Sequence, residues 1–291
     1  MWSIETIALI ELNGMESKMG FIRYYRSTEE KGYFLKYCKG QSHAFRKHTH
    51  EEYSIALVTG GESLFRFVNE EFNIRKGQLV VIAPGVVHQC IPECVAEWSF
   101  YMLHITVPWI QAAGFDVKAI PSFAIRDLQN DEFYPLELYF KQACENIELA
   151  EENIVLLAEA AFSQAFVQDV EWLDFDSSEP MLDEICEVIR ARFNDNITLE
   201  ELACMAGMDR YTLIRRFRRR FNTTPHSWQI MLRVNEARRL LEDGMSATDV
   251  ALEVGFYDQS HFTKMFKETF GVTPMQFLNP EGNGKDTSLS G

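Results

Sequence analysis

Apolar residues in the first third of the chain fall in short runs with turn residues between them. The runs cover 53–59, 63–68, 71–74, 78–82 and 98–105, and Gly60-Gly61, Asn69-Glu70, Lys76-Gly77 and Pro84-Gly85 punctuate them. Strands this short and this closely spaced predict a small sandwich or barrel between about 33 and 105. Phe65 and Phe67, then Phe72 and Ile74, alternate with polar residues around a two-residue turn, the pattern of a hairpin with one buried face.

The period then lengthens. From 136 to 170, Leu138, Ala143, Ile147, Ile154, Leu157, Ala161 and Ala165 recur at threes and fours among Glu, Gln and Lys, which predicts about two helices packed on the barrel or on a second subunit. The acidic stretch 172–180 ends in Pro and reads as a linker. Beyond it the chain reads as short helices, up to a Gly-, Ser- and Asn-rich tail with little to bury.

In this helical half Thr198 caps a short helix, with Glu201 three residues on in a capping-box arrangement, and Leu199, Leu202 and Ala203 supply the buried face. Gly207 ends it, and Asp209 caps a second helix. That helix turns Leu213 and Phe217 inward and Arg210, Tyr211, Ile214, Arg215 and Arg218 outward. Helix, a glycine-containing turn and a basic exposed helix form the helix-turn-helix pattern.

The pattern recurs from Ser246, with Val250 and Ala251 buried, Gly255 in the turn, and a second helix from about Asp258 that buries Phe262 and Phe266. Its outward residues are Gln259, Ser260, His261, Thr263 and Lys264. An amphipathic helix over 228–241, roughly 21 Å long, lies between the two units. It is a spacer suited to setting two recognition helices about one DNA turn, roughly 34 Å, apart.

Length and charge sharpen this picture. A chain of 291 residues accommodates two domains, each with its own core. The formal charge of −15 argues at first against a nucleic-acid partner. The acidity is uneven: residues 1–179 hold 14 Lys and Arg against 27 Asp and Glu, whereas 180–279 hold 13 against 14. Within that near-neutral half Arg210, Arg215, Arg216, Arg218, Arg219 and Arg220 crowd into about three helical turns, a local electrostatic footprint for DNA. The six cysteines show no paired metal or disulfide spacing and read as reduced thiols of a cytoplasmic protein, with Cys90 and Cys94 as the alternative redox pair. The amino-terminal residues do not read as a signal peptide, and no apolar run has membrane-spanning length.

The stretch TLEELACMAGMDRYTLIRRFRRRFNTTPHSWQIMLRVNEARRLLEDG, followed by SATDVALEVGFYDQSHFTKMFKETFGVTPMQF, closely resembles the DNA-binding domain of AraC/XylS transcription regulators. Ala251, Val254, Gly255, Phe256, Asp258, Ser260, Phe262, Phe266, Lys267, Phe270, Gly271, Thr273 and Pro274 all match the second-half hallmark of that family. The resemblance implies base reading by Tyr211, Ile214 and Arg215 on one helix and by Gln259, Ser260, Thr263 and Lys264, with His261 beside them, on the other. The chemistry agrees: Arg215 or Lys264 donates to guanine, Gln259 bonds adenine, and Ile214 touches a thymine methyl. Arg210, Arg218 and Arg219 read as phosphate contacts. The family usually has Gly where this chain has Asn222, and Asn tolerates the left-handed backbone of such a helix stop.

HTHEEYSIALVTGGESLFRF and GQLVVIAPGVVH resemble the cupin-like sensing domain of the same regulators. Metal-binding cupins join two His one residue apart on a strand to a third His and a carboxylate. This chain keeps His48, His50 and His88, but the carboxylate position falls on Ser54 or Ile55, and Glu51 and Glu52 come too early. Three roles stand open for these imidazoles: a divalent metal site of Zn, Ni or Fe type, hydrogen bonds to an organic ligand, or a structural remnant. His104 shares a strand face with Trp98, Phe100 and Met102, which reads as core packing or as the wall of a metabolite pocket.

The fold expected is a two-domain α+β chain. A cupin-like β-barrel with accessory helices covers 20–170, a linker 171–180, an all-α domain with two helix-turn-helix motifs 181–279, and a disordered tail 280–291. The function expected is a sequence-specific DNA-binding transcription regulator, not an enzyme, controlled by a small molecule in the barrel. The resemblance implies a bacterial homodimer acting on promoter or operator DNA, with RNA polymerase as a further partner. Two alternatives differ in class: a cupin metalloenzyme fused to a DNA-binding domain, and a regulator controlled by a protein partner.

Overall fold

The computed structural model describes residues 20–27, 31–41, 46–67, 70–162 and 179–278. The turn residue Asn69, the predicted helix position Ala165, nearly all of the linker and the whole tail lie outside the described residues.

Nine strands occur among these residues: β1 (Phe21–Tyr25), β2 (Tyr33–Lys39), β3 (Tyr53–Gly60), β4 (Glu62–Phe67), β5 (Glu70–Arg75), β6 (Gln78–Ile82), β7 (His88–Pro92), β8 (Ser99–Ile105) and β9 (Phe123–Asp127). They form a six-stranded sheet in the order β1-β2-β8-β3-β6-β9 and a three-stranded sheet in the order β5-β4-β7. The lead-in to β3 crosses to the smaller sheet, where His48 and His88 exchange both backbone hydrogen bonds at 2.9 Å. The hairpin register pairs Phe65 with Phe72 and Phe67 with Glu70, so Glu70 belongs to β5 rather than to the turn.

Strand alternation sorts the large sheet into two faces. Phe34, Lys36 and Cys38 of β2, Phe100, Met102 and His104 of β8, and Ser54, Ala56 and Val58 of β3 stand in register on the inward face. Phe65, Phe67, Phe123 and Trp98 fill the same interior. Leu35, Ile55, Val81 and Leu103 point outward and are covered by α1 (Val107–Ala112), α2 (Asn130–Glu145) and α3 (Glu151–Phe162). Gln129 and Glu132 close a reciprocal capping box, so α2 starts six residues before the period alone indicated. Leu138 is 51% exposed and does not belong to the buried stripe.

The second half is α4 (Pro180–Ala191), α5 (Leu199–Met205), α6 (Arg210–Phe221), α7 (Pro225–Glu242), α8 (Ala247–Glu253), α9 (Gln259–Phe270) and α10 (Pro274–Leu278). Thr198 accepts from the Glu201 amide at 3.1 Å, but the Glu201 carboxylate turns to Arg192, so the expected capping box is one-sided. Trp228 and Met231 of α7 join the core of α4, α5 and α6, whereas Val234, Ala237 and Leu241 join that of α8, α9 and α10. One helix therefore serves both units. Gly255 has φ +82°, and a Cβ there would stand 2.2 Å from the Asn194 carbonyl oxygen, which is why the second unit needs glycine at its turn.

Candidate functional site

Four buried imidazoles meet at one end of the barrel interior. Ring centroids of His48 lie 4.2 Å from His88 and 4.9 Å from His50, and His50 lies 4.7 Å from His104. His48 Nδ1 sits 3.2 Å from the Arg46 carbonyl and His88 Nδ1 3.0 Å from the Val86 carbonyl. A carbonyl only accepts, so both rings donate from Nδ1 and keep a lone pair on Nε2. The nitrogens offered by His48, His50 and His88 all lie within 4.8 Å of one another. Burial holds all four imidazoles below the ordinary histidine range, His88 at about 4, so they are neutral at neutral pH.

This arrangement fits a three-nitrogen site for a divalent metal, since the far nitrogens of two ligands are fixed by backbone oxygens. It contains no fourth protein ligand among the described residues. Ser54 Oγ, at the position of the cupin carboxylate, is 3.0 Å from His104 Nδ1, and Glu52 turns away to the helical half. The aromatic wall expected beside His104 is present as Trp98 and Phe100, with ring centroids 5.5 Å apart.

Two further features do not follow from the pattern of the sequence. The first is Lys36, 1% exposed on the inward face of β2, with its ammonium 5.5 Å from the Phe100 ring and 5.8 Å from the Tyr24 ring. The second is a cleft of about 540 Å³ between the free edges of β5 and β9, lined by Phe72, Gln78, Phe123, Ile125, Asp127 and Glu132 among others. The Phe123 ring at its floor stacks on Phe65 at 4.8 Å, and Phe65 stacks on His88 at 5.4 Å. Aromatic rings therefore connect the cleft to the imidazoles.

The helical half packs against the imidazole end of the barrel. Arg238 of α7 is buried, forms an ion pair with Glu52, bonds Glu242 at 2.9 Å and lies 4.7 Å over the Phe34 ring. Phe34 stacks on His104 at 4.4 Å. Asn235 of the same helix donates to the Thr49 carbonyl at 3.2 Å, and Tyr24 donates to the Phe270 carbonyl at 2.9 Å.

On α6, Arg210, Tyr211, Arg215, Arg218 and Arg219 are exposed and Ile214 is half-buried. On α9, Gln259, Ser260, His261 and Lys264 are exposed and Thr263 is half-buried. The arginines are not equivalent. Arg210 pairs with Glu200, and Arg216 and Arg219 share Glu179 at 2.8 and 2.7 Å. Arg215 and Arg218 have no carboxylate partner among the described residues. Asn222 follows α6 with φ 53° and ψ 20°, the left-handed stop filled by Gly271 after α9. The Asn222 carbonyl also accepts from Lys47 of the barrel half at 2.8 Å.

A sensing barrel joined to two helix-turn-helix units has a counterpart in known families. The model of the AraC-like ligand binding domain matches residues 34–202, and a helix-turn-helix domain model matches residues 202–279. The chain belongs to the AraC/XylS family of transcription regulators. Over 233 residues this AraC/XylS regulator is 27% identical to the uncharacterized transcriptional regulator YbfI of Bacillus subtilis, covering 77% of this chain and 83% of that one. Over 247 residues it is 24% identical to the transcriptional activator RhaR of an Enterobacter species, covering 80% and 86%. Its fold matches an apo ToxT variant from Vibrio cholerae with a TM-score of 0.57 at 14% identity, over 88% of this chain and 98% of that one. Unsaturated fatty acid-bound ToxT matches with a TM-score of 0.52 at 13% identity, over 89% and 94%. The regulator thus combines an amino-terminal ligand-binding domain with a carboxy-terminal DNA-binding domain.

Proposed function

We propose that this regulator reads promoter or operator DNA through Tyr211, Ile214 and Arg215 of α6 and Gln259, Ser260, His261, Thr263 and Lys264 of α9, with Arg210, Arg218 and Arg219 facing phosphates. A small effector occupies the barrel among His48, His50, His88 and His104, against Trp98 and Phe100. One observation carries the reading: α7, the helix common to both DNA-binding units, is clamped by Arg238 and Asn235 onto the segment 49–52 that follows the imidazoles. An occupant that shifts this segment changes the arrangement of α7, and with it the affinity for DNA. That a ToxT structure of this fold holds an unsaturated fatty acid supports an organic occupant.

The three converging nitrogens support a second use of the same chamber, a divalent metal on His48, His50 and His88. The metal would supply a Lewis-acidic anchor for an oxygen of the effector. Regulator names among the relatives support a role without catalysis, in place of the enzyme alternative. Tyr134 and Leu138 lie one turn apart on α2 and are 61% and 51% exposed, which suits helix packing between two copies of the chain in a homodimer. No helix among the described residues is long and apolar enough to cross a membrane. A cytoplasmic regulator working beside RNA polymerase accords with these features.

The test is DNA affinity of the full chain measured with a panel of amino acids, amines, sugars and organic acids, each with and without a chelator. Affinity for a specific duplex that changes with one chemical class supports the reading. Affinity indifferent to every compound, in a protein that none of them stabilises, moves control to a protein partner.

A further inference from the structure

Register across the large sheet places Lys36 between Tyr24 of β1 and Met102 of β8 on the inward face. An ammonium taken out of water at such a place is strongly disfavoured unless an anion faces it. No carboxylate among the described residues does so. The groups that act on it favourably are the thiols of Cys38 and Cys90, and burial pushes these up to about 11 and 12, so both stay protonated. The four imidazoles are neutral.

The other cations beside it have carboxylate partners. Arg26 lies 3.2 Å from Glu242, and Arg238 is shared by Glu52 and Glu242. The two guanidinium groups at the mouth thus have carboxylates of their own, Glu51 near Arg238 among them, and Lys36 is left as an interior cation that no carboxylate faces among the described residues. Ring faces 5.5 and 5.8 Å from the ammonium supply only part of what a counter-ion would.

We propose that Lys36 anchors an anion site inside the barrel and that the effector is an organic acid bearing a single carboxylate. This rests on the effector-binding reading and names the chemistry of the occupant. A single negative charge makes the interior neutral, and a dianion would leave an excess. The walls require an organic body, because Phe65, Phe67, Phe100 and Phe123 offer ring surface. Trp98 Nε1, buried without a hydrogen-bond partner among the described residues, is a donor for the second carboxylate oxygen or a polar substituent.

The test uses the full chain and its melting temperature with propionate, benzoate and octanoate, each against its neutral amide, and with phenyl phosphate. The expected result is a rise with at least one carboxylate that its amide does not produce and phenyl phosphate does not exceed. Lys36→Met should weaken binding of that acid about tenfold to a hundredfold and should leave the ligand-free protein as stable or more stable. Lys36→Arg should keep the response. An acid response undiminished in Lys36→Met, equal binding of acid and amide, or a stronger response to phenyl phosphate overturns the proposal. A response only to a neutral sugar or an amine overturns it while the effector reading stands. Silence toward every compound overturns both.

Discussion

Glu52 and Arg238 lie 186 positions apart in sequence, yet they meet as a buried ion pair between the barrel and the helix shared by the two DNA-binding units. Each is less than a tenth exposed, so either one left alone is a buried charge with an incomplete set of partners. Glu52→Gln should destabilise the full chain by about 3 kcal/mol. Adding Arg238→Met should recover much of the loss, since an apolar side chain of similar length has no charge to satisfy. Urea melts of the two variants against the parent check this. A double variant no better than the single one would show that the pair is not coupled.

Arg215 and Arg218 are both exposed on α6 without a carboxylate partner among the described residues, and they lie about one turn apart. Arg215→Ala should cost about 1–3 kcal/mol on a specific duplex and relax preference at one base pair. Arg218→Ala should weaken specific and scrambled duplexes alike. Equal losses for Arg215→Ala on both duplexes would remove it from base reading.

Glu179 holds Arg216 and Arg219 at 2.8 and 2.7 Å, and these arginines keep its carboxyl below the usual range. In Glu179→Gln both guanidinium groups lose their charged partner and become available to phosphates. Non-specific affinity should rise, and the slope of log affinity against log salt should steepen by about one to two. A slope unchanged in a salt titration would show that neither arginine reaches the backbone of DNA.

The buried imidazoles make stability depend on acid. Their folded pKa values lie below the ordinary value of 6.5, His88 at about 4, so on lowering the pH the unfolded chain takes up protons first. Stability should be level above about pH 6.5 and fall below it, by about 1.4 kcal/mol per pH unit for each such imidazole. Calorimetry from pH 7.5 to 5 in the presence of a chelator reads this slope, which His50→Gln should make shallower. A melting temperature constant down to pH 5 would contradict neutral burial.

Short-range signals carried most of the fold. Turn residues and period-two runs located β3, β4, β5, β6 and β8, and Thr198, Asp209, Ser246 and Asp258 cap the helices where their side chains led one to expect. β1, β2, β7 and β9 did not stand out, because β1, β2 and β9 mix charged with apolar residues and β7 is a five-residue strand that holds His, Gln and Pro. In β2 a lone Lys between Phe34 and Cys38 has the spacing of an interior residue but the chemistry of a surface one, and only its neighbours in register settle which applies. The three histidines were legible as a set because two lie one residue apart. The addition of His104 through Ser54, and of Arg238 through Glu52, depends on pairings far apart in sequence.

Because α7 contributes side chains to the cores of both helix-turn-helix units, the two recognition helices are packed into one body. DNA read by such a body must present its two half-sites at a fixed helical phase. One inserted base pair rotates the second half-site by about 35° and displaces it by about 3.4 Å. A rigid reader cannot follow that change without bending or twisting the duplex, so spacing between the half-sites becomes part of the sequence code even where no side chain touches a base.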